Sequence, residues 1–284
     1  MARIAGESPR TARHVKLSPP GKDDPVILCC EIAGDGPPIV LAPGLGDTVW
    51  VWRRLIPFIQ PRHLVAAVEL RGHGRSASPF GPYSVKDMAK DLALLMEKLE
   101  IRKTTFIAQG LGARAAMMLA AENPEIAAAL VLIGAETGPP TGTARGALVG
   151  RMEHAARGDM RAVYKLRKAE GREPRGMSSL ERAEHHRIFL RNSPAGYNAS
   201  CHAELDAPDL SGRLGEIRCP VLAVAGEKDP DRLADAERMT EKMPDCESVI
   251  VEGAGHFVQL DRTETFHALL DNFLRKHNLS IPRK

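Results

Sequence analysis

Apolar residues along this chain fall into two alternating patterns. Short runs rich in Val, Ile, Leu and Ala occur at Val26–Ile32, Ile39–Ala42, Leu64–Leu70, Thr104–Ala108, Ala127–Gly134, Pro220–Ala225 and Ser248–Val251. Their length and composition predict strands, most of them buried on both faces. A first strand is expected near His14–Leu17. Between these runs lie stretches with apolar residues at helical spacing: Trp50–Ile59, Ser84–Leu99, Leu111–Glu122, Asp231–Met243 and Thr263–Lys276. Ser84 with Asp87 three residues on is a helix start signal, and Pro124 a stop. Strands and helices in alternation predict an α/β fold with an eight-stranded, mostly parallel, doubly wound sheet.

The pattern changes between Thr141 and Ala207, where helical stretches carry frequent charge and no strand candidate occurs. The expected organisation is a segment over 1–25 with a mobile start and the first strand, a core over 26–140 and 208–284, and a helical insertion over 141–207. From Gly142 to Ala207 there are 12 Lys or Arg against 8 Asp or Glu. A solvated helical face accounts for most of that charge. The other reading is that some of Arg151, Arg161, Lys165, Arg187 and Arg191 meet an anionic group on a substrate. Leu148, Met152, Val163, Tyr164, Leu166, Phe189, Leu190 and Tyr197 are expected to form the core of the insertion or to line a pocket.

Composition narrows the function classes. A net charge of +3 over 284 residues lacks the basic stripe of a nucleic-acid binder, and 4% aromatic residues argue against a base-stacking platform. There is no apolar run of bilayer length, nor a secretion signal in the first 25 residues. The expectation is a soluble cytoplasmic protein with a small-molecule partner. The five cysteines are odd in number and lack CxxC spacing, which suggests buried free thiols. No dinucleotide fingerprint follows the first strand, and there is no phosphate loop or metal-ligand cluster. Neither cofactor nor metal is expected.

The candidate chemistry lies at corners that follow strands. Ala108-Gln109-Gly110-Leu111-Gly112 joins a buried strand to a helix rich in Ala, Gly and Met. Small residues at both ends of such a corner permit the strained turn of a nucleophile elbow, which lifts the middle residue above the sheet edge. That residue is Gly110, which has no side chain. Further on, one strand ends in Gly226-Glu227-Lys228-Asp229 and another in Glu252-Gly253-Ala254-Gly255-His256. A carboxylate there can fix the imidazole tautomer and leave the other ring nitrogen as a base. Asp231, two residues from Asp229, and Glu136, at the end of the sixth strand, are further acid candidates.

Nucleophile position, acid and histidine in this chain order resemble the α/β-hydrolase superfamily, in its lid-containing, ester or C–C hydrolase-like form, from about Ile27 to Leu274. Ile39–Gly46 is similar to the family's oxyanion-loop strand, and Glu69–Ser76 to its turn after the next strand. The resemblance implies that the insertion is a helical cap. It also implies that His256 and Asp229 are catalytic with Gly110 at the nucleophile position, and that the amides of Leu45 and Leu111 form an oxyanion hole. Gln109 is a possible added polar group and Glu136 an alternative acid. Pro43 stands where many relatives have His, while His73 and Ser76 are expected to serve the turn.

Gly110 departs from the family pattern, and three readings follow. In the first, an enzyme acts on a small or medium apolar carbonyl compound through the His256/Asp229 base and the oxyanion hole, by water activation or by lyase or cyclase-type proton abstraction. In the second, an ordinary esterase-like serine hydrolase has had its nucleophile at position 110 replaced by Gly. In the third, a non-catalytic relative binds a ligand or partner. Retention of both Asp229 and His256 favours an enzyme.

Overall fold

The computed structural model describes residues 10–18 and 25–280, and the expected mobile chain start falls outside them. Eight strands form one sheet: β1 (Thr11–Leu17), β2 (Val26–Ala33), β3 (Pro38–Ala42), β4 (Leu64–Val68), β5 (Thr104–Gln109), β6 (Ala127–Ile133), β7 (Val221–Gly226) and β8 (Cys246–Val251). Their order is β1-β2-β4-β3-β5-β6-β7-β8. β2 pairs antiparallel with β1 and with β4, and every other neighbouring pair is parallel. β5 and β7 are buried at every residue, whereas the edge strands β1 and β8 are largely exposed or half-exposed. That difference explains why the central strands read as continuous apolar runs and β1 does not.

Helices cover both faces. α1 (Leu55–Ile59) and α10 (Thr263–Lys276) pack on one side; α2 (Val85–Lys98), α3 (Gly110–Glu122) and α8 (Leu233–Lys242) pack on the other. The Ser84 hydroxyl and the Asp87 carboxylate form the reciprocal cap that opens α2. The single helix expected over Trp50–Ile59 is instead a 3-10 turn at Val49–Trp52 followed by α1. Pro57 is the reason. A helix begun at Trp50 would hold Pro57 in its interior, where the ring clashes with the carbonyl one turn back; α1 keeps it in the first turn. Pro230 likewise begins a separate 3-10 turn, Pro230–Arg232, ahead of α8.

Between β6 and β7 the chain forms α4 (Gly142–Ala156), α5 (Met160–Ala169), α6 (Ser179–Phe189) and α7 (Pro194–Leu205). Leu148, Val163, Tyr164, Phe189 and Tyr197 are buried among them, and Met152 and Leu190 pack partly buried against the same cluster. These helices rest on the loops at the C-terminal ends of the strands. Asn192 donates to the Gly46 carbonyl at 2.9 Å and accepts from the Gly74 amide at 2.8 Å. Arg167 Nη2 donates to both oxygens of Asp47 at 3.1 Å, and His185 Nε2 lies 3.6 Å from the same carboxylate. All five cysteines are free, four of them buried. Among the described residues no helix is long and apolar enough to cross a membrane. A short helix, α9 (Val258–Asp261), directly follows the His256 loop.

Candidate active site

β5 ends at Gln109 and α3 starts at Gly110 without an intervening loop. Gly110 takes φ +47°, a conformation that costs a residue with a Cβ about 1–2 kcal/mol. A methyl group built there would stand 3.7 Å from Gly44 Cα and 4.0 Å from His256 Nε2. A Cβ therefore fits at this corner, in ordinary van der Waals contact with both. The Gly112 amide donates to the Pro43 carbonyl at 3.2 Å, tying the corner to the loop after β3. Leu111 lies in the first turn of α3, where amides have no partner within the helix. Among the described residues, neither the Leu45 nor the Leu111 amide donates to a protein acceptor.

His256 is buried, with 6% of its surface exposed, and Nδ1 lies 2.7 Å from Asp229 Oδ2. A carboxylate only accepts, so Nδ1 carries the proton and Nε2 the lone pair. Burial and then the Arg172 cation push the imidazole below its ordinary pKa, against the opposing pull of Asp229. The ring is therefore neutral at neutral pH. Burial alone would raise the Asp229 carboxyl, but His256 beside it, helped by Arg172 and Arg232, holds it well below the usual range. Asp231 is exposed and does not take part. Gly134, at φ +52°, ends β6 where a Cβ would lie 3.1 Å from the imidazole Cε1 and Nδ1. Its missing side chain lets the ring lie against the strand end.

Gln109 points beneath the histidine loop. Its Nε2 donates to the His256 carbonyl at 3.0 Å, and its Oε1 accepts from Gln259 at 2.9 Å. Ser76 serves its turn, donating to the Glu69 carbonyl and accepting from the Cys29 amide. His73 Nδ1 lies 2.9 Å from the Arg71 carbonyl.

Glu136 does not reach His256. Arg114 and Arg232 clamp it directly, and Arg172 Nη2 lies 3.9 Å away. Burial favours the protonated carboxyl, but Arg114, Arg232 and Arg172 outweigh it and bring its pKa down to about 2. Arg172, from the loop between α5 and α6, also places Nη1 3.0 Å from His256 Nε2 and 3.4 Å from Nδ1. With Nδ1 protonated, Nε2 is the acceptor, so Arg172 Nη1 donates to the lone pair of the candidate base and has to move off it before a proton can be taken. Burial and the Arg232 cation push the Arg172 pKa down.

None of the arginines expected to meet an anion reaches this centre. Arg151 is buried and donates to the Tyr197 hydroxyl at 3.3 Å; Arg161 and Lys165 are exposed. Arg187 and Arg191 line a separate cavity of about 430 Å³ with Arg53 and Arg75. The cations that do gather, Arg114, Arg172 and Arg232, were missed by sequence reasoning. One signal existed: Arg114 is the lone charge inside a helix of Ala, Gly and Met.

A family model described as alpha/beta hydrolase fold matches residues 37–263. The 3-oxoadipate enol-lactonase 2 of Acinetobacter baylyi is 24% identical over 249 residues, covering 86% of this chain and 91% of that protein. Two solved structures share the architecture. The enol-lactonase from Burkholderia xenovorans LB400 superposes with a TM-score of 0.79 at 24% identity, covering 88% of this chain and 97% of its own. A thermophilic esterase from Thermogutta terrifontis gives 0.81 at 23% identity, covering 94% and 99%.

Proposed function

The chain belongs to the α/β-hydrolase fold family, and from that membership we propose that it is an enzyme acting on a small or medium carbonyl compound with His256 as its base. In the hydrolytic case Arg172 moves off Nε2, which takes a proton from water beside Gly110, and the hydroxide attacks the carbonyl carbon. The Leu45 and Leu111 amides meet the oxyanion, each contributing about 3 kcal/mol. The imidazolium, stabilised by Asp229, then returns the proton to the leaving group. A substrate with an acidic C–H would give up its proton to the same nitrogen, as in a lyase or cyclase. Such a base accelerates reaction about 10²- to 10⁴-fold, which suits a reactive substrate. The helices α4–α7 act as the lid. A lactonase and an esterase among the similar proteins support acyl oxygen compounds as the first to try.

The observation that carries this reading is the Asp229–His256 pair at 2.7 Å, with Nε2 4.0 Å from the place a Cβ on residue 110 would take. The same space favours a second reading, a serine hydrolase with Gly at position 110, because a side chain fits there and the backbone keeps the elbow conformation. One experiment separates them: turnover of p-nitrophenyl esters and enol lactones by the native chain, His256→Ala and Gly110→Ser, with mass spectrometry for an acyl adduct. Native activity abolished by His256→Ala supports the base mechanism. Activity and adduct only in Gly110→Ser support the second reading. Silence in all three leaves proton abstraction from another class of substrate, or a binding protein.

A further inference from the structure

The chain between α5 and α6 is tied down along its length. The amides of Gly171 and Arg172 close α5 on the carbonyls of Lys168 and Arg167, at 3.1 and 2.8 Å. The Glu173 carboxylate accepts from the Tyr164 hydroxyl at 2.8 Å and from Arg182 at 3.2 Å. The Arg175 amide donates to Asp261 Oδ1 at 2.5 Å, and Asp261 Oδ2 accepts at 2.8 Å from the amide of Gly255, the residue before His256. This backbone and the histidine loop thus form one body. The Arg172 side chain lacks such ties: it is 20% exposed and, among the described residues, donates to no oxygen within hydrogen-bond distance.

Two acceptors stand within its reach. One is the neutral Nε2 of His256, 3.0 Å from Nη1. The other is Glu136 Oε1, 3.9 Å from Nη2, where a shift of about 1 Å would make a charge-assisted hydrogen bond. Arg114 and Arg232 fix that carboxylate and take one oxygen each, which leaves a lone pair on both oxygens for a third donor. Arg232 opposes the Arg172 cation in this place, whereas Asp229, Glu136 and Glu204 support it. A proton on His256 decides between the two acceptors. Once Nε2 is protonated the ring has only donors and a charge of the same sign as Arg172, so the first place is closed to the guanidinium and Glu136 remains.

We propose that Arg172 alternates between the lone pair of His256 and Glu136, so that the protein rests with its base covered and uncovers it when the guanidinium crosses to the carboxylate. This deepens the enzyme reading above and rests on it for the role of His256. Glu136 then has a defined part although it does not reach the histidine: it receives Arg172 while the base holds the proton. When that proton passes to the leaving group, Nε2 accepts again and Arg172 returns. Neither step needs an anion on the substrate.

The contact is tested without turnover, by nitrogen NMR of ring-labelled histidine in the full native chain and in Arg172→Met, a side chain of similar length without a donor. In the native chain the Nε2 resonance of His256 is expected upfield of an unbonded ring nitrogen, and in Arg172→Met it is expected to move downfield. The crossing is tested by kcat/KM on an ester or lactone that the chain turns over. Arg172→Met is expected to raise it about tenfold, the worth of a hydrogen bond from a charged donor. Glu136→Gln, which weakens the second place, is expected to lower it, and Glu136→Gln combined with Arg172→Met to match Arg172→Met alone. Should Glu136→Gln lose its far-UV circular dichroism, the resonance and rate of Arg172→Met decide. An unmoved resonance, a slower Arg172→Met, or additive effects in the combined variant would overturn the switch and leave the enzyme reading standing. Full activity in His256→Ala would overturn the enzyme reading, and the switch with it.

Discussion

Replacing Glu136 with Gln removes one charge from a buried site and leaves three guanidinium groups around a neutral amide. A carboxyl that releases its proton near 2 where 4.5 is usual owes about 3 kcal/mol of its ionised stability to its surroundings. Breaking a buried pair by deleting one partner typically costs about 3–5 kcal/mol, which agrees. Because the folded value is the lower one, this stabilisation is fully present above 4.5 and is lost as pH falls toward 2. The arithmetic of linkage gives about 3 kcal/mol at pH 7 and about 1.5 kcal/mol at pH 3. Urea unfolding followed by the fluorescence of Trp50 and Trp52 measures both. Native chain and Glu136→Gln should differ by the larger amount at neutral pH, and the two curves should converge as the buffer is acidified. A difference under about 1 kcal/mol at pH 7, or one that does not change with pH, would refute the claim that Glu136 is the ionised centre of the arginine group.

Gln109→Leu strands the His256 carbonyl and the Gln259 amide, so unfolding free energy should fall by about 1–3 kcal/mol. With an active substrate, kcat should fall while KM stays, because the histidine loop loses its support while the binding groups are untouched. The pH profile of kcat/KM follows from the depressed His256: the base must be unprotonated, so activity is expected to be lost on the acid side of 6.5 and to stay level above it. Arg172→Gln should move that acid limb upward by removing the neighbouring cation. A native midpoint above about 7 would contradict the assignment.

The sheet was legible because its central strands are buried on both faces and so are written as unbroken apolar runs, while Gly and Pro mark where they stop. The pairing of Asp229 with His256 was legible for a related reason, since both lie just past strand ends that neighbour one another. Side-chain direction was not. Nothing at position 109 says whether the amide faces a substrate or the back of a loop; that depends on Gln259, 150 residues away. The break before α1 was readable from Pro57, had its position in the turn been counted. Arg172 and Arg232 look like ordinary surface charges in a polar stretch and become a centre only when the chain between β6 and β7 folds back over β5 and β7. Local pattern carries no record of such meetings.

Asp47 shares a loop with Leu45, and its buried carboxylate is held by Arg167 of α5 and approached by His185 of α6. The loop that carries the proposed oxyanion donor is thereby tied to the inserted helices. Grafting another protein's helices onto this sheet would import new specificity without a cation at position 167, leaving Asp47 charged, buried and unpaired. The loop would relax, and Leu45 with it. Exchange of the inserted helices therefore has to carry residues 47 and 167 as a unit, and a chimaera that keeps both should retain the geometry of the Leu45 loop when one that splits them does not.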